Sequence, residues 1–329
     1  MIEKVYPQKL QKGDMVRVVA PSQSFGIISK ENREIAKRRF DKMGLKVTFG
    51  KHIEEMDEFS SSSIESRVED LHEAFSDKEV KMIITVIGGF NCNQLLKYLD
   101  YDLIRNNPKI FIGYSDTTAL ENAIFAKTGL VTYTGPAYST FAQEKYFDYT
   151  MDAFKQVVFS EDQYQIIQSE NWSNDVWFMD QEDRVLIPND GWLVINDGKA
   201  KGEIVGGNLD TFNLLQGTEF SPVFKNTILF LEDDSETRDS IFDRHIQALI
   251  HRSDFVEVTG VVIGRFEKAS NMTNEKILKI IKTKKELNSI PVVANVDFGH
   301  TSPLVTFPIG GEVSIDVNNK KSSILITRH

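Results

Sequence analysis

Ile110-Phe111-Ile112-Gly113-Tyr114-Ser115-Asp116-Thr117-Thr118-Ala119-Leu120 runs from an apolar strand through Gly-x-Ser into the start of a helix. A sharp strand-to-helix turn of this kind exposes a serine Oγ and sets it beside backbone N–H groups that can stabilise an oxyanion. Thr117 stands where G-x-S-x-G would carry its second glycine, and a Ser-Asp pair ahead of a helix is also an ordinary N-cap. The turn belongs to a longer alternation over the first 140 residues. Strands are predicted at Val16–Ala20, Lys46–Phe49, Met82–Ile87, Ile110–Ile112 and Val131–Thr134, with helices at Glu31–Met43, Ser63–Phe75, Asn91–Leu99 and Thr117–Lys127. Such β-α-β-α order predicts a doubly wound parallel sheet, in which ligands sit outside the carboxyl ends of the strands. Gly88-Gly89 and Ser115 fall at two such ends.

From Phe141 to about Asn196 the pattern loosens into polar and aromatic sequence that holds all three tryptophans, Trp172, Trp177 and Trp192. This reads as a linker plus a loop-rich insertion over residues 151–200, between a nucleophile-bearing domain (1–150) and a smaller α/β domain (201–329). Strands are predicted there at Gly202–Gly207, Ile228–Leu231, Gly260–Gly264 and Pro291–Asn295, with helices at Leu209–Leu215, Ile241–His251 and Asn274–Leu287. A closing hairpin is predicted around Asn318-Asn319.

Two domains suit 329 residues, since a single core rarely grows that large. A hydrophobic content of 41% with 26% charged residues is that of an ordinary globular protein. A net charge of −10 argues against nucleic acid or an anionic membrane as the main partner. The single cysteine, Cys92, excludes an internal disulfide and a cysteine-rich zinc site. No apolar run is long enough to span a bilayer and the N-terminus lacks a signal-type apolar core, so a cytoplasmic location is expected.

A serine nucleophile needs a base within hydrogen-bond reach and a group that orients the base. Of six histidines, His300 stands apart, in the glycine- and proline-punctuated Phe298-Gly299-His300-Thr301-Ser302-Pro303 beyond an apolar strand. A loop histidine bonded to backbone is the plain alternative. Ile228-Leu229-Phe230-Leu231 runs straight into Glu232-Asp233-Asp234-Ser235-Glu236. Glu232 comes directly off the buried strand and is the carboxylate expected to be held rigidly. Asp233, Asp234 and Glu236 are expected to be solvated or to cap the next helix. No spacing in this cluster matches a known metal loop. Val205-Gly206-Gly207-Asn208 precedes a helix and could hold an anion at its N-terminus or be a structural turn. No dinucleotide fingerprint follows the first strand, which disfavours a dehydrogenase.

In this order, Gly88-Gly89, Gly113-Tyr114-Ser115-Asp116, Gly206-Gly207-Asn208-Leu209, Leu231-Glu232-Asp233 and Gly299-His300-Thr301-Ser302-Pro303 resemble the LD-carboxypeptidase family of serine peptidases. The resemblance implies a flavodoxin-like first domain with the active site in the cleft against the C-terminal domain. It implies a Ser115–Glu232–His300 triad with Ser115 as nucleophile, His300 as general base and acid, and Glu232 as orienter. It also implies an oxyanion hole from the Gly89 and Asp116 amides, a substrate contact at Asn208, no cofactor, no metal, and a homodimer. The family has two branches. One releases terminal D-alanine from muropeptides in cell-wall recycling; the other, the microcin C immunity proteins, cleaves peptidyl or aminoacyl groups from nucleotides. Asn171-Trp172, Asp175-Val176-Trp177 and Asn189-Asp190-Gly191-Trp192 are similar to the tryptophan-bearing insertion of the second branch. Trp177, then Trp172, is the expected stacking platform for a nucleobase, unless these rings simply pack the insertion. The helix start after Glu232 departs from the recycling branch, although Arg238 or Arg244 could grip a carboxylate or phosphate. A non-catalytic binding protein of the same fold is the reading of another class, favoured if Ser115 and His300 lie out of reach of each other.

Overall fold

Short β-rich apolar runs alternate with capped amphipathic helices in the computed structural model, which describes residues 2–329. The first unit comprises β1 (Met15–Val19), α1 (Lys30–Lys42), β2 (Lys46–Phe49), α2 (Ile64–Ser76), β3 (Val80–Thr85), α3 (Tyr101–Asn106), β4 (Ile110–Gly113), α4 (Thr118–Thr128) and β5 (Thr132–Thr134). Ser29, Ser63 and Asp100 cap α1, α2 and α3 by accepting a first-turn N–H. Gly129, at φ 76°, ends α4 in the left-handed conformation. The five strands are parallel in the order β2-β1-β3-β4-β5, the flavodoxin-like order. The helix expected at Asn91–Leu99 is instead a single 3₁₀ turn at Cys92–Leu95.

The stretch expected to be loose begins with a regular helix, α5 (Asp148–Phe159), which buries Thr150, Phe154, Val157 and Val158 along one stripe. Then follow β6 (Tyr164–Ile166), the two-residue pair β7 (Asn171–Trp172) and β8 (Ile187–Pro188), β9 (Leu193–Asn196), β10 (Gly198–Asn208), α6 (Leu209–Asn213), β11 (Thr227–Glu232), α7 (Asp239–Ile250), β12 (Val258–Gly264), α8 (Asn274–Lys282), β13 (Val292–Val296), β14 (Phe307–Ile309), β15 (Glu312–Val317) and β16 (Ser323–Arg328). The second sheet runs β6-β16-β15-β10-β11-β12-β13-β9. Its middle strands, β10 to β13, are parallel, and its flanks are antiparallel. The β15–β16 pair is the hairpin predicted around Asn318-Asn319. Late in the chain, β14 crosses back and pairs antiparallel with β5 at the edge of the first sheet.

Polar side chains stitch the two sheets together behind the Ser115 turn. Buried Asn122 of α4 donates through Nδ2 to the Gly206 carbonyl at 2.7 Å and accepts from the Gly206 N–H at 3.3 Å. The Asn208 N–H donates to Thr118 Oγ1 at 3.0 Å. Gly207 has φ 121°, and a Cβ there would lie 2.5 Å from that same Thr118 oxygen. Close approach of β10 to the start of α4 therefore requires glycine at this position.

Candidate active site

β4 delivers its last residue, Gly113, into the turn, and Tyr114 is extended before Ser115 turns to φ 65°. A left-handed non-glycine residue costs on the order of 1–3 kcal/mol and persists where its surroundings over-determine it. Thr117 supplies part of that constraint. Its Oγ1 donates to the Tyr114 carbonyl at 2.8 Å, and its N–H reaches the same oxygen at 3.4 Å. A Cβ at Gly113 would lie 2.5 Å from Thr117 Oγ1 and 2.4 Å from Thr85 Oγ1. The threonine that breaks the G-x-S-x-G pattern is thus the residue that ties the turn down.

The structure brings Ser115, His300 and Glu232 into one hydrogen-bonded chain. Ser115 Oγ lies 3.0 Å from His300 Nε2, and His300 Nδ1 lies 2.8 Å from Glu232 Oε2. The three come from the end of β4, the loop after β13 and the last residue of β11. Glu232 is buried, with its side chain 2% exposed, and a Cβ at Gly299 would lie 2.7 Å from its Oε2. That glycine, at φ 107°, lets the His300 loop close over the carboxylate. Burial disfavours the imidazolium, but the Glu232 carboxylate outweighs it and lifts His300 to about 9. The Tyr114 ring flanks the imidazole, with centroids 5.4 Å apart.

The turn that follows β3 packs against Ser115. A Cβ built on Gly88 would fall 2.8 Å from Ser115 Cβ and 3.5 Å from the Asp116 nitrogen, so the Gly88-Gly89 turn lies directly against the Ser115 turn. The Asp116 carboxylate faces inward, away from solvent. Its Oδ2 accepts from Ser22 Oγ at 2.6 Å and from the Cys92 N–H at 2.8 Å. Ser22 Oγ in turn accepts from the Phe90 N–H at 3.2 Å. Asp116, Ser22 and Phe90 therefore lock the ends of β1, β3 and β4 in register. Ser22 and the Asp116 side chain escape a reading of local sequence, because their partners lie 94 and 24 residues away. The Pro21-Ser22 stop after the first strand was the available signal.

The other predicted residues are distributed differently. Asp233 is not solvated: it is buried, accepts from Thr237 Oγ1 at 2.8 Å, and faces Asn208 Nδ2 at 3.5 Å. Burial first, and the neighbouring Glu232 charge second, push its carboxyl up to about 8. Asp233 lies just past the end of β11, where packing around the strand end, not the strand itself, buries it. Glu236 is exposed, as expected, whereas Asp234 is half-buried and accepts from the Glu236 N–H at 2.9 Å. Asn208 is buried and caps α6, accepting from the Thr211 N–H at 3.0 Å. Through Asn122 and Thr118, bonded to its backbone, the Gly206-Gly207-Asn208 end of β10 is also tied to α4. Arg238 and Arg244 are exposed at and on α7. Trp172 is half-buried in β7 with the Arg265 guanidinium over its ring at 5.0 Å. Trp177 is half-buried, edge-to-face with Phe178 at 5.9 Å. The insertion reaches the His300 loop directly: the Ser173 N–H donates to the Ser302 carbonyl at 2.6 Å and the Ser302 N–H to the Ser173 carbonyl at 2.9 Å. Among the described residues, no helix is long and apolar enough to cross a membrane, and no group of three or more His, Cys, Asp or Glu is placed to hold a metal ion.

Two family models match this chain, the LD-carboxypeptidase N-terminal domain over residues 16–135 and the LD-carboxypeptidase C-terminal domain over residues 201–315. The chain belongs to the LD-carboxypeptidase family. Among its relatives, the putative carboxypeptidase YocD of Bacillus subtilis is 51% identical over 99% of this chain and 100% of its own. The microcin C7 self-immunity protein MccF of Escherichia coli is 33% identical over 88% of each chain. A probable murein peptide carboxypeptidase of Bacillus subtilis is 30% identical over 97% of this chain and 93% of its own. The crystal structure of an MccF-like protein from Bacillus anthracis superposes with a TM-score of 0.98 at 52% identity, covering 99% of this chain and 100% of that one. MccF in complex with aspartyl sulfamoyl adenosine superposes at 0.89, with 30% identity over 99% of both chains. This LD-carboxypeptidase family member is thus related to both MccF and the murein peptide carboxypeptidases.

Proposed function

We propose that this family member is a serine hydrolase that cleaves the link between a peptidyl or aminoacyl group and a nucleotide through an acyl-enzyme on Ser115. The observation that carries the reading is the unbroken chain from Ser115 Oγ through the His300 ring to Glu232, at 3.0 and 2.8 Å. It fails the condition that would favour a non-catalytic binder. In the proposed cycle Ser115 Oγ attacks the substrate carbonyl carbon while His300 Nε2 takes the hydroxyl proton. Glu232 fixes the Nδ1–H tautomer and stabilises the imidazolium that forms. The amides of Gly89 and Asp116 receive the developing oxyanion. His300 returns its proton to the departing nitrogen, the carbonyl–nitrogen bond breaks, and water activated by the same ring hydrolyses the ester.

Support for a nucleotide-bearing substrate comes from MccF, solved with aspartyl sulfamoyl adenosine, and from the tryptophans of an insertion bonded to the His300 loop. Of these, Trp177 is the stacking platform we favour, since Arg265 already covers a face of Trp172. Asn208 and Arg244 are the further substrate contacts of this reading, and a cytoplasmic homodimer is its setting. The second reading, release of terminal D-alanine from a muropeptide, draws on the murein peptide carboxypeptidase relative. The test offers a non-sulfamoyl aminoacyl adenylate amide and a muropeptide tetrapeptide in parallel, with products identified by mass spectrometry. Cleavage of the adenylate conjugate that Ser115→Ala abolishes without unfolding is expected. Release of D-alanine alone refutes the substrate assignment, and a fully active Ser115→Ala refutes the mechanism.

A further inference from the structure

Glu121 is fully buried on α4, one turn beyond the nucleophile turn, and no step of the proposed cycle uses it. Its Oε1 lies 3.0 Å from Thr117 Oγ1, and its Oε2 accepts from Thr134 Oγ1 of β5 at 2.5 Å. A threonine hydroxyl has one proton to give. Thr117 Oγ1 stands 2.8 Å from the Tyr114 carbonyl, an acceptor that can use that proton and cannot supply one. With the hydroxyl proton directed there, two lone-pair oxygens face each other between Thr117 and Glu121 at 3.0 Å in a site without water access. A proton on Glu121 resolves the conflict.

We propose that Glu121 is a positioning residue: as a neutral acid it donates its proton to Thr117, which commits the Thr117 hydroxyl to the Tyr114 carbonyl and holds Ser115 in its left-handed conformation. The chain is directional, Glu121 O–H to Thr117 O–H to Tyr114 C=O. Thr134 donates to the other carboxyl oxygen and so fixes the rotamer. Burial pushes the Glu121 carboxyl up to about 8, against the pull of Thr134 and Thr117. From the elements packed on α4, the charged group that acts on it is Glu232 of β11, which adds to the upward push; Thr134 of β5 is neutral. When Glu121 ionises, the Thr117 proton turns to the carboxylate. The Tyr114 carbonyl then keeps only the longer Thr117 N–H contact at 3.4 Å, and the nucleophile turn loosens.

The proposal rests on Ser115 being the nucleophile, so the experiment separates the two. The kcat of the parent, Glu121→Gln and Thr117→Val is measured from pH 6 to 10 on the substrate that the parent cleaves, with Ser115→Ala as the control for the mechanism itself. Glutamine presents an N–H₂ to Thr117 and an oxygen to Thr134 but does not titrate. Glu121→Gln is expected to keep activity at neutral pH within about threefold and to climb to a plateau where the parent turns down in alkali. Thr117→Val is expected to lose about 10²-fold in kcat, the scale of a misplaced reacting group, with KM little changed. Infrared difference spectra between the parent and Glu121→Gln are expected to contain a protonated-carboxyl stretch that fades as pH rises. A Glu121→Gln profile that retains the parent's alkaline decline, or a parent without that protonated-carboxyl band at neutral pH, overturns the proposal. An active Ser115→Ala would overturn the mechanism beneath it instead.

Discussion

Replacing Glu232 by glutamine removes one negative charge 2.8 Å from His300 Nδ1 while keeping side-chain volume. In the parent that charge overcomes the cost of burial and carries His300 from an ordinary 6.5 to about 9. At ~1.36 kcal/mol per pH unit, the folded site as a whole favours the imidazolium by about 3 kcal/mol relative to a free histidine. The base form of His300 must be present for attack, so kcat/KM of the parent is expected to rise with pH along a limb displaced above 6.5. Without the charge, burial is opposed only by the smaller pulls of Asp234 and Glu267, and the limb of Glu232→Gln is expected to move to lower pH. At each variant's own optimum, kcat is still expected to fall by up to about 10⁴, because the amide N–H₂ turned to Nδ1 favours the wrong tautomer and the imidazolium has no counter-charge. Stability carries the same signature. A histidine raised on folding stabilises fully below its unfolded value of 6.5, and that contribution is lost as pH rises through about 9. The parent Tm is therefore expected to decline over that window more steeply than the Tm of Glu232→Gln. Stopped-assay pH profiles and calorimetric melts on both proteins check this. A variant with an unmoved ascending limb, or with kcat within about threefold of the parent, refutes the role given to the carboxylate.

Gly88→Ala would set a methyl 2.8 Å from Ser115 Cβ; activity is expected to fall by at least about 10², as when an oxyanion donor is displaced, with circular dichroism unchanged. Ser22→Ala cuts the link between Asp116 Oδ2 and the Phe90 N–H. It is expected to lower Tm by the equivalent of about 1–3 kcal/mol for the Phe90 N–H left without its partner and the lost bond to Asp116, whose Oδ2 keeps the Cys92 N–H, and to reduce kcat more than it raises KM. Trp177→Ala is expected to raise KM for a nucleotide-bearing substrate by about tenfold, corresponding to ~1–3 kcal/mol of stacking, while leaving a nucleotide-free amide unaffected. An unchanged KM would remove the stacking role.

Much of this architecture is legible locally. Apolar runs ending in glycine or Pro-Ser, alternating with capped helical stripes, announce a parallel sheet because the periods of strand and helix differ. Those same punctuation points mark where loops, and hence Ser115, Gly88 and His300, gather at the strand ends. The α5 helix shows how far such reading depends on context: its stripe of Phe154, Val157 and Val158 is helical in spacing but sits in a polar, aromatic neighbourhood. Asp233 shows the converse. An acidic run looks solvated until the neighbouring strands that bury it are known.

By itself, then, the chain determined the strand–helix alternation of its first 140 residues and hence a doubly wound parallel sheet, since these follow from local periodicity and turn chemistry; the flavodoxin-like order and the triad were implied by the resemblance to the LD-carboxypeptidase family. Tertiary structure alone decided that Ser115, His300 and Glu232 meet at hydrogen-bond distance, that β14 returns to the first sheet, and that Thr117 and buried Glu121 brace the nucleophile turn. These depend on side chains separated by up to 185 residues, and on burial, which only the packed sheets create. The direction of a single hydroxyl proton is set there, by which oxygens face each other once water has been excluded.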